Sequence, residues 1–245
     1  MKLSFLLALA VVLVASADQG DVLSMIPAPA GNPDGLTWID GSLWITSDTE
    51  FEIYEIDPAT GNVLTTLPGH GNDQSLTGLT YDGTYLRSCC HPMIYSWNLS
   101  TNAVVDSIPA PGSTANEGLA WDGSSIWSTN YNDNIIFEID PDDGTLLSYF
   151  YPQSTDFDGL TGLAYDGFFL WVSDQDSQLI MKFVPGQPIP WEYFLAPCET
   201  PQDLAWDGSA LWVTEYVASG AKVYQLDPGP GALDAATWAQ IKAEF

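Results

Sequence analysis

The sequence predicts an all-β protein, a single five-bladed β-propeller of four-stranded blades. One phrase, a Gly-Leu or Asp-Leu pair followed by an aromatic residue and then Asp-Gly, occurs five times. The phrases start at residues 35, 78, 118, 162 and 203, which are 43, 40, 44 and 41 residues apart. A period in the forties with Asp-Gly turns is typical of propeller blades. Four of the five turns lead into an apolar strand, at residues 43–46, 126–128, 170–172 and 211–213.

Each repeat divides into four short strands. The first carries the phrase and ends at Asp-Gly, whose tolerance of positive φ suits a tight hairpin. The second is apolar on both alternating faces, as a strand buried between stacked blades requires. The third ends at turn residues in four repeats, for example Asp57-Pro58 and Asp140-Pro141. The fourth strand is predicted at residues 63–67, 104–108, 146–151 and 191–195.

The fifth repeat lacks an obvious fourth strand, and the start of the mature chain offers one. Residues 21–27 read Asp-Val-Leu-Ser-Met-Ile-Pro, which is similar to Val-Val-Asp-Ser-Ile-Pro at residues 104–109. We therefore expect this N-terminal strand to complete the last blade and close the ring, so that no sheet edge separates the first and last blades.

The propeller is expected to span residues 18–231, after a leader. Residues 1–17 combine Lys2, an apolar stretch and the small residues Ala15-Ser16-Ala17. This is the pattern of a secretory signal peptide cleaved after Ala17, so we expect a secreted or periplasmic protein.

Residues 232–245 differ in character from the repeats. Asp234 can cap a helix on which Trp238, Ile241 and Phe245 fall on one side. We expect a short C-terminal helix packed on a blade rim, with a sorting or docking tail as the alternative.

The chain is strongly acidic, with 32 acidic residues, five basic ones and a net charge of −27. This charge disfavours binding to a nucleic-acid backbone or to anionic lipid. We therefore expect no nucleic-acid or membrane partner, but a small molecule, a glycan or a protein, and a monomeric chain. The acidity either keeps an exported surface soluble or reflects carboxylates that converge on a cation.

Three cysteines, Cys89, Cys90 and Cys198, allow at most one disulfide in an exported protein and leave one thiol over. Cys89 could pair with Cys90, or either could pair with Cys198, and the sequence does not choose. The chain has no Cys-x-x-Cys pair and only two histidines, so a zinc site is not expected.

The candidate site lies at one mouth of the central channel, where loops gather before the first strands and after the second strands. Loops there carry function while the blades carry stability. Oxygen-bearing side chains in this position suit a hard cation such as Ca²⁺. The residues predicted to bind it are Glu117, Asn130, Asp174 and Glu215. The alternative is that these are ordinary polar loop residues.

Six further residues are candidates for ligand binding. The two tyrosines among them fall outside the repeat period, together with Phe157, and can form a platform for a sugar or a peptide side chain. His91 is a candidate general base only if a partner positions it. The six are Asp34, Asp48, Arg87, His91, Tyr131 and Tyr216.

Arg87 interrupts the repeat. It stands where the other repeats carry a tryptophan at residues 44, 127, 171 and 212. One interpretation is an anion-holding group beside Cys89, Cys90 and His91. The other is an arginine paired with a neighbouring carboxylate or stacked on an aromatic ring.

The repeat resembles the YVTN/NHL-type propellers, a group that includes gluconolactonase-like calcium hydrolases. The resemblance covers nearly the whole mature chain and implies the fold. It also implies a metal held in the tunnel by Glu, Asn and Asp, positions that Glu117, Asn130 and Asp174 resemble. The six blades and fuller signatures of the gluconolactonase-like group are absent from this sequence.

A second, looser resemblance is to the plant-type glutaminyl cyclotransferases, which are five-bladed and carry Thr-Gln-Gly-Leu followed by Tyr-Glu-Ser-Thr. Here residues 200–204 read Thr-Pro-Gln-Asp-Leu and residues 213–215 read Val-Thr-Glu. The similarity lies in the last repeat instead of the first, Asp203 replaces the glycine, and no Glu-Ser-Thr follows.

Two functional hypotheses follow. The leading one is an exported propeller that acts as a binding or interaction module with a cation site at the channel mouth. The alternative is a propeller enzyme at the same mouth, either a calcium-dependent lactonase-like hydrolase or a glutaminyl cyclotransferase-like enzyme. The sequence assigns no catalytic residue.

Overall fold

The computed structural model describes residues 18–69, 75–90, 92–112, 116–153 and 157–229. Within these ranges the chain forms 20 β-strands, arranged as five four-stranded antiparallel sheets in a ring. These described ranges contain no helix long and apolar enough to cross a membrane. The predicted signal peptide and C-terminal helix lie outside the described residues.

The strands follow one another blade by blade after the first, which is β1 (Val22–Pro27). Blade 1 contains β2 (Pro33–Ile39), β3 (Ser42–Ser47), β4 (Glu52–Ile56) and β5 (Val63–Pro68). Blade 2 contains β6 (Leu79–Tyr81), β7 (Leu86–Cys90), β8 (Met93–Asn98) and β9 (Ala103–Pro109). Blade 3 contains β10 (Asn116–Trp121), β11 (Ile126–Asn130), β12 (Ile135–Ile139) and β13 (Leu146–Phe150).

Blades 4 and 5 repeat the pattern. Blade 4 contains β14 (Leu160–Tyr165), β15 (Leu170–Asp174), β16 (Leu179–Phe183) and β17 (Glu192–Leu195). The last three strands, in blade 5, are β18 (Pro201–Trp206), β19 (Leu211–Glu215) and β20 (Lys222–Leu226). The five blades predicted from the repeat are thus confirmed.

The N-terminal strand closes the ring as predicted. β1 pairs antiparallel with β20 and becomes the outer strand of blade 5, with Met25 opposite Tyr224 and Ile26 opposite Val223. Ile26 and Val223 are buried in one cluster with Leu36 of blade 1. The first and the last described strands, β1 and β20, therefore share one sheet. Burial of apolar side chains stabilises this closure of the ring.

The core lies between blades. Five buried clusters fill the interfaces, each drawing apolar side chains from neighbouring blades. Every residue of β7, β11 and β15 is buried, which fits the prediction of second strands with two apolar faces.

In four of the five blades a side-chain hydroxyl of the second strand links the blade to the next near the mouth. Gly118 N–H donates to Thr129 Oγ1 at 2.8 Å, and that hydroxyl donates to the Thr161 carbonyl of the following blade. Thr46, Ser173 and Thr214 make the same bridges in blades 1, 4 and 5. In blade 2 the position holds Cys89, and the Gly78 N–H donates directly to the Glu117 carbonyl. This ring fixes the first strands that carry the candidate site.

The Asp-Gly turns lie at the opposite end of the blades. Asp122 Oδ1 accepts the N–H groups of Ser124 and Ser125 at 2.8 and 2.7 Å, and its Oδ2 accepts Trp127 Nε1–H at 2.7 Å. Two other blades repeat the Asp–Trp bond, Asp166 with Trp171 and Asp207 with Trp212. Each of these aspartates therefore fastens its own turn to the second strand.

Candidate functional site

A cavity of about 240 Å³ opens at the channel mouth. The residue directly before the Gly or Asp of each phrase lines it, one from each blade: Asp34, Thr77, Glu117, Thr161 and Gln202. The other lining residues follow the second strands, namely Asp48, Tyr131, Gln175 and Tyr216. Three carboxyl groups and no described basic residue face this space, so the cavity is acidic.

Gln202 connects the acids. Its Nε2 donates to Asp34 Oδ1 at 2.7 Å and lies 3.4 Å from Glu117 Oε2. Its Oε1 accepts a hydrogen bond from Gln175 Nε2 at 2.9 Å, which fixes the orientation of the amide. One amide thereby joins carboxyl groups from two other blades, and its two N–H groups suit two acceptors.

Two carboxyl groups at the mouth, Glu117 and Asp34, have raised pKa values. Burial, followed by the charge of Asp48, raises the pKa of Glu117 to about 7. Burial, followed by the charge of Glu117, raises the pKa of Asp34 well above its ordinary value, against a lowering effect of the Gln202 hydrogen bond. Like charges in a partly dry cavity disfavour the charged form. A cation bound there would have the opposite effect.

Two tyrosines flank the cavity. Tyr216 OH donates to Asp48 Oδ2 at 2.7 Å, which ties the second-strand ends of blades 5 and 1 together. Tyr131 OH donates to Asp176 at 3.1 Å from Oδ1. Burial and these carboxylates raise the pKa of both phenols, so the hydroxyls stay protonated near neutral pH.

The structure does not bring together the four residues predicted to bind calcium. Only Glu117 lines the cavity. Asn130 Nδ2 donates to Asn116 Oδ1 and its Oδ1 accepts the Asp133 N–H, both at 2.9 Å. Asp174 and Glu215 also hydrogen bond to neighbouring protein groups and do not line the cavity. Within the described ranges no group of three or more His, Cys, Asp or Glu side chains could hold a metal ion.

Asp174 and Glu215 point away from the cavity. Asp174 Oδ2 accepts the N–H groups of Asp158 and Gly159 at 3.0 and 3.2 Å, and Oδ1 accepts the Ser177 N–H at 2.8 Å. Glu215 Oε2 accepts Tyr224 OH at 3.3 Å. The reason is strand alternation, because adjacent residues at a strand end face opposite ways. The next residues, Gln175 and Tyr216, face the cavity instead.

Arg87 lies at the wrong end of its blade for the anion-holding role. Its Nε donates to Asp82 Oδ2 at 2.8 Å, and its guanidinium lies 5.8 Å from the centre of the Tyr85 ring. The arginine thus takes the place of the indole N–H that other blades offer to the turn aspartate. The interpretation as a structural ion pair is the one the contacts support. His91 lies outside the described residues.

None of the three cysteines forms a disulfide, and all three are buried in different blade interfaces. Cys90 packs between blades 1 and 2, Cys89 between blades 2 and 3, and Cys198 between blades 4 and 5. Burial raises the pKa of Cys89 and of Cys198 to about 12, so neither thiol is reactive as a thiolate at neutral pH.

Sequence reasoning missed four residues of the cavity wall, namely Thr77, Thr161, Gln175 and Gln202. A positional signal could have found them, because each directly precedes the Gly or Asp of the phrase or directly follows a second strand. Asp34, Asp48, Glu117, Tyr131 and Tyr216 occupy the same two positions and were among the candidates.

Many solved structures share this fold, with low sequence identity in the three that follow. A glutaminyl cyclase from Myxococcus xanthus is 11% identical with a TM-score of 0.72, covering 84% of this chain and 94% of that chain. A PQQ-bound aldose sugar dehydrogenase from Streptomyces coelicolor is 13% identical with a TM-score of 0.56, covering 84% of this chain and 97% of that chain. Virginiamycin B lyase from Staphylococcus aureus is 17% identical with a TM-score of 0.52, covering 82% of this chain and 68% of that chain.

These similarities define the class of the molecule at the level of fold, a β-propeller, and its own sheets give the five blades. They confirm the fold resemblance predicted from the repeat. No protein-family model and no curated protein sequence matches the chain.

Proposed function

We propose that this protein is an exported five-bladed propeller that binds a small ligand through a cationic ammonium group at the channel mouth. The observation that carries the proposal is the set of three carboxyl groups, Asp34, Asp48 and Glu117, around one cavity that no described basic residue lines. Export rests on the leader-like residues 1–17.

The electrostatics favour a cation over a neutral ligand. Glu117 and Asp34 have raised pKa values because each carboxylate is partly desolvated beside another acid. A cation in the cavity lowers that repulsion, so its binding and the ionisation of Glu117 support each other. The net charge of −27 also attracts cations to the protein.

The size of the cavity limits the ligand. At about 240 Å³ it is smaller than pockets for drug-sized molecules, which start at roughly 300 Å³. It therefore suits a compact amine or one amino end of a longer chain. Tyr131 and Tyr216 offer aromatic faces that attract a cation.

A titration with propylammonium tests the proposal, with 1-propanol as the uncharged control. Since Glu117 is half ionised near pH 7, we expect about tenfold tighter binding at pH 8 than at pH 6. Glu117→Gln should weaken binding at pH 8, while Asp142→Asn, which removes the same charge from an exposed turn, should not. Equal binding of propanol, or equal losses in the two variants, would refute the proposal.

A second candidate is cyclisation of an N-terminal glutamine. It is favoured by the similarity in fold to a glutaminyl cyclase and by Glu117, whose pKa of about 7 suits a general base. In this reaction the α-amino nitrogen attacks the side-chain amide carbon, the carbon–nitrogen bond of the amide breaks, and ammonia leaves. Glu117 would take a proton from the attacking amino group and return it to the departing nitrogen, which leaves as ammonia. Ammonia release from glutaminamide, lost in Glu117→Gln and kept in Asp142→Asn, is the expected result, and no release would reject it.

Binding of Ca²⁺ at the channel mouth stays a prediction, and a separate experiment tests it. Thermal denaturation in EDTA and then in CaCl₂ measures whether a divalent ion stabilises the fold, because a ligand that binds only the native state raises its midpoint. A rise that Glu117→Gln abolishes would place the ion at the mouth. An unchanged midpoint would reject a stabilising calcium ion at the mouth.

A further inference from the structure

The carboxylate of Asp203 lies at the centre of the ring, just below the mouth. Its Oδ2 accepts the N–H groups of Leu36 at 2.7 Å and Leu79 at 3.3 Å. Its Oδ1 accepts the N–H groups of Leu163 and Leu204, both at 2.9 Å. Four of the five blades thus direct one backbone N–H at a single side chain, which is 1% exposed.

The repeat explains why the N–H groups converge. Each bonded leucine follows the position that is glycine in blades 1 to 4 and Asp203 in blade 5. The first strand is the inner edge of its sheet, so its leucine N–H has no partner strand and points along the blade toward the axis. Five-fold repetition brings equivalent donors together around one point.

Only one side chain fits at this level of the channel. A Cβ added to Gly118 would lie 2.5 Å from Leu163 N, and one added to Gly35 would lie 2.8 Å from Leu79 N. The glycines therefore allow close approach of neighbouring blades, and blade 5 alone contributes a side chain. A neutral apolar residue there would leave the N–H groups without an acceptor, which is costly in a buried place.

The surroundings suit an anion. Backbone N–H groups that converge in this way form anion-binding concavities, and hydrogen bonds to a charged acceptor are the stronger ones. Burial raises the pKa of Asp203 well above its ordinary value, while the four N–H groups act in the opposite direction by stabilising the carboxylate. The residues on either side of Asp203 line two different cavities: Gln202 lines the mouth cavity, and Leu204 lines a second cavity of about 120 Å³ formed by the Leu–aromatic segments of the first strands.

We propose that the axis of this propeller is an anion-binding site formed by backbone N–H groups of four blades, which the chain fills with its own Asp203. Its ligand class is a small monocarboxylate. When the side chain is removed, the site becomes available to a free anion of that class. This inference is independent of the ligand that binds at the mouth.

Thermal denaturation of Asp203→Gly in sodium formate tests the proposal, with sodium chloride at the same ionic strength as the reference. We expect a lower midpoint than in the native sequence, and a saturable recovery of about 3 °C in formate relative to chloride. The native sequence and Asp207→Asn should show no such recovery. Asp207 is the matched control because it too accepts backbone N–H groups, but in a solvent-accessible turn. A formate effect no larger than in these two proteins would overturn the proposal.

Asp203→Asn is a second variant that tests the same site if Asp203→Gly does not fold. Asparagine has the same shape, but its NH₂ group would face N–H donors. We expect a lower midpoint than the native sequence and no recovery in formate, because the side chain still fills the site. A midpoint equal to that of the native sequence would overturn the proposal, since the four donors would then not require an anion.

Discussion

The two ends of the blades hold acidic side chains in opposite environments. At the Asp-Gly end, Asp122 accepts two backbone N–H groups and an indole N–H, and these bonds outweigh burial and hold its pKa below the ordinary value. At the mouth end, Glu117 has only a distant amide at 3.4 Å and acidic neighbours, and its pKa is raised to about 7. Both are carboxyl groups, but Glu117 is the more deeply buried and has far fewer donors.

The contrast indicates that the Asp-Gly end of the blades serves stability, while the mouth end is the candidate for function. The Asp–Trp bond recurs in blades 3, 4 and 5, as expected of a device that each blade needs to hold its turn. The mouth positions change from blade to blade, from Asp34 to Thr77 to Gln202. A raised pKa in a cavity is typical of functional sites, and Glu117 is the mouth residue that shows it with the weakest hydrogen bond.

The largest effect is expected where the repeat is strictest. Gly118→Ala places a Cβ 2.5 Å from Leu163 N of the next blade, and backbone cannot move aside as a side chain can. We expect a loss of about 3 kcal/mol in the free energy of unfolding. Urea denaturation measures it. A loss below that of an ordinary surface substitution would show that the blades are not in close contact at this level.

Asp122→Asn should weaken the turn end. The asparagine retains one acceptor oxygen, but its NH₂ group faces Trp127 Nε1–H, which loses its partner. We expect a loss of about 2 kcal/mol at pH 7 that becomes smaller in acid, where the native carboxylate is also protonated. Its lowered pKa means that the stabilisation is present above the ordinary pKa and is lost as pH falls through the native value. Urea denaturation at pH 7 and pH 3 measures both losses, and a loss that does not depend on pH would contradict this role of the charge.

Glu117→Gln should raise the free energy of unfolding at pH 8, whereas Asp122→Asn lowers it. Because the native pKa is above the unfolded one, protonated Glu117 favours the fold, and this contribution is lost as pH rises through about 7. We expect the variant to match the native protein at pH 4 and to be more stable by about 1 kcal/mol at pH 8. Urea denaturation at both pH values measures the difference. A destabilised variant at pH 8 would contradict the contrast between the two ends.

The smallest effect is expected at Arg87. Arg87→Trp restores the residue of the other blades and should change stability by less than about 1 kcal/mol, because an indole N–H can replace the guanidinium on Asp82. Arg87→Ala removes the donor and should cost more, which urea denaturation measures. Neither variant should alter propylammonium binding. Loss of propylammonium binding in both variants would show that Arg87 contributes to ligand binding.

The fold could be predicted because its signals are local and repeated. The Asp-Gly phrases give the blade count, and the similarity of residues 21–27 to a fourth strand gives the closure by β1. The mouth was also predictable as the place where variable polar loops gather. The direction of individual side chains was not predictable from the pattern.

Asn130, Asp174 and Glu215 each lie one residue before a residue that lines the cavity. Each pairs with the first residue of its first strand, just before the pairing becomes irregular, as in Pro201 opposite Glu215. Strand alternation decides which of two neighbouring residues faces the channel, and the sequence pattern does not show which one it is. Asp203 was visible as a replaced glycine, but its four donors come from blades that only the closed ring brings together.

A direct titration of the Glu117 carboxyl carbon by ¹³C NMR tests the central claim, that Glu117 lacks a close donor at the mouth and that a cation would compensate its charge. We predict a midpoint near pH 7 in the free protein, and a lower midpoint when propylammonium is present. A midpoint near the ordinary value for glutamate in the free protein, unchanged by the amine, would contradict it.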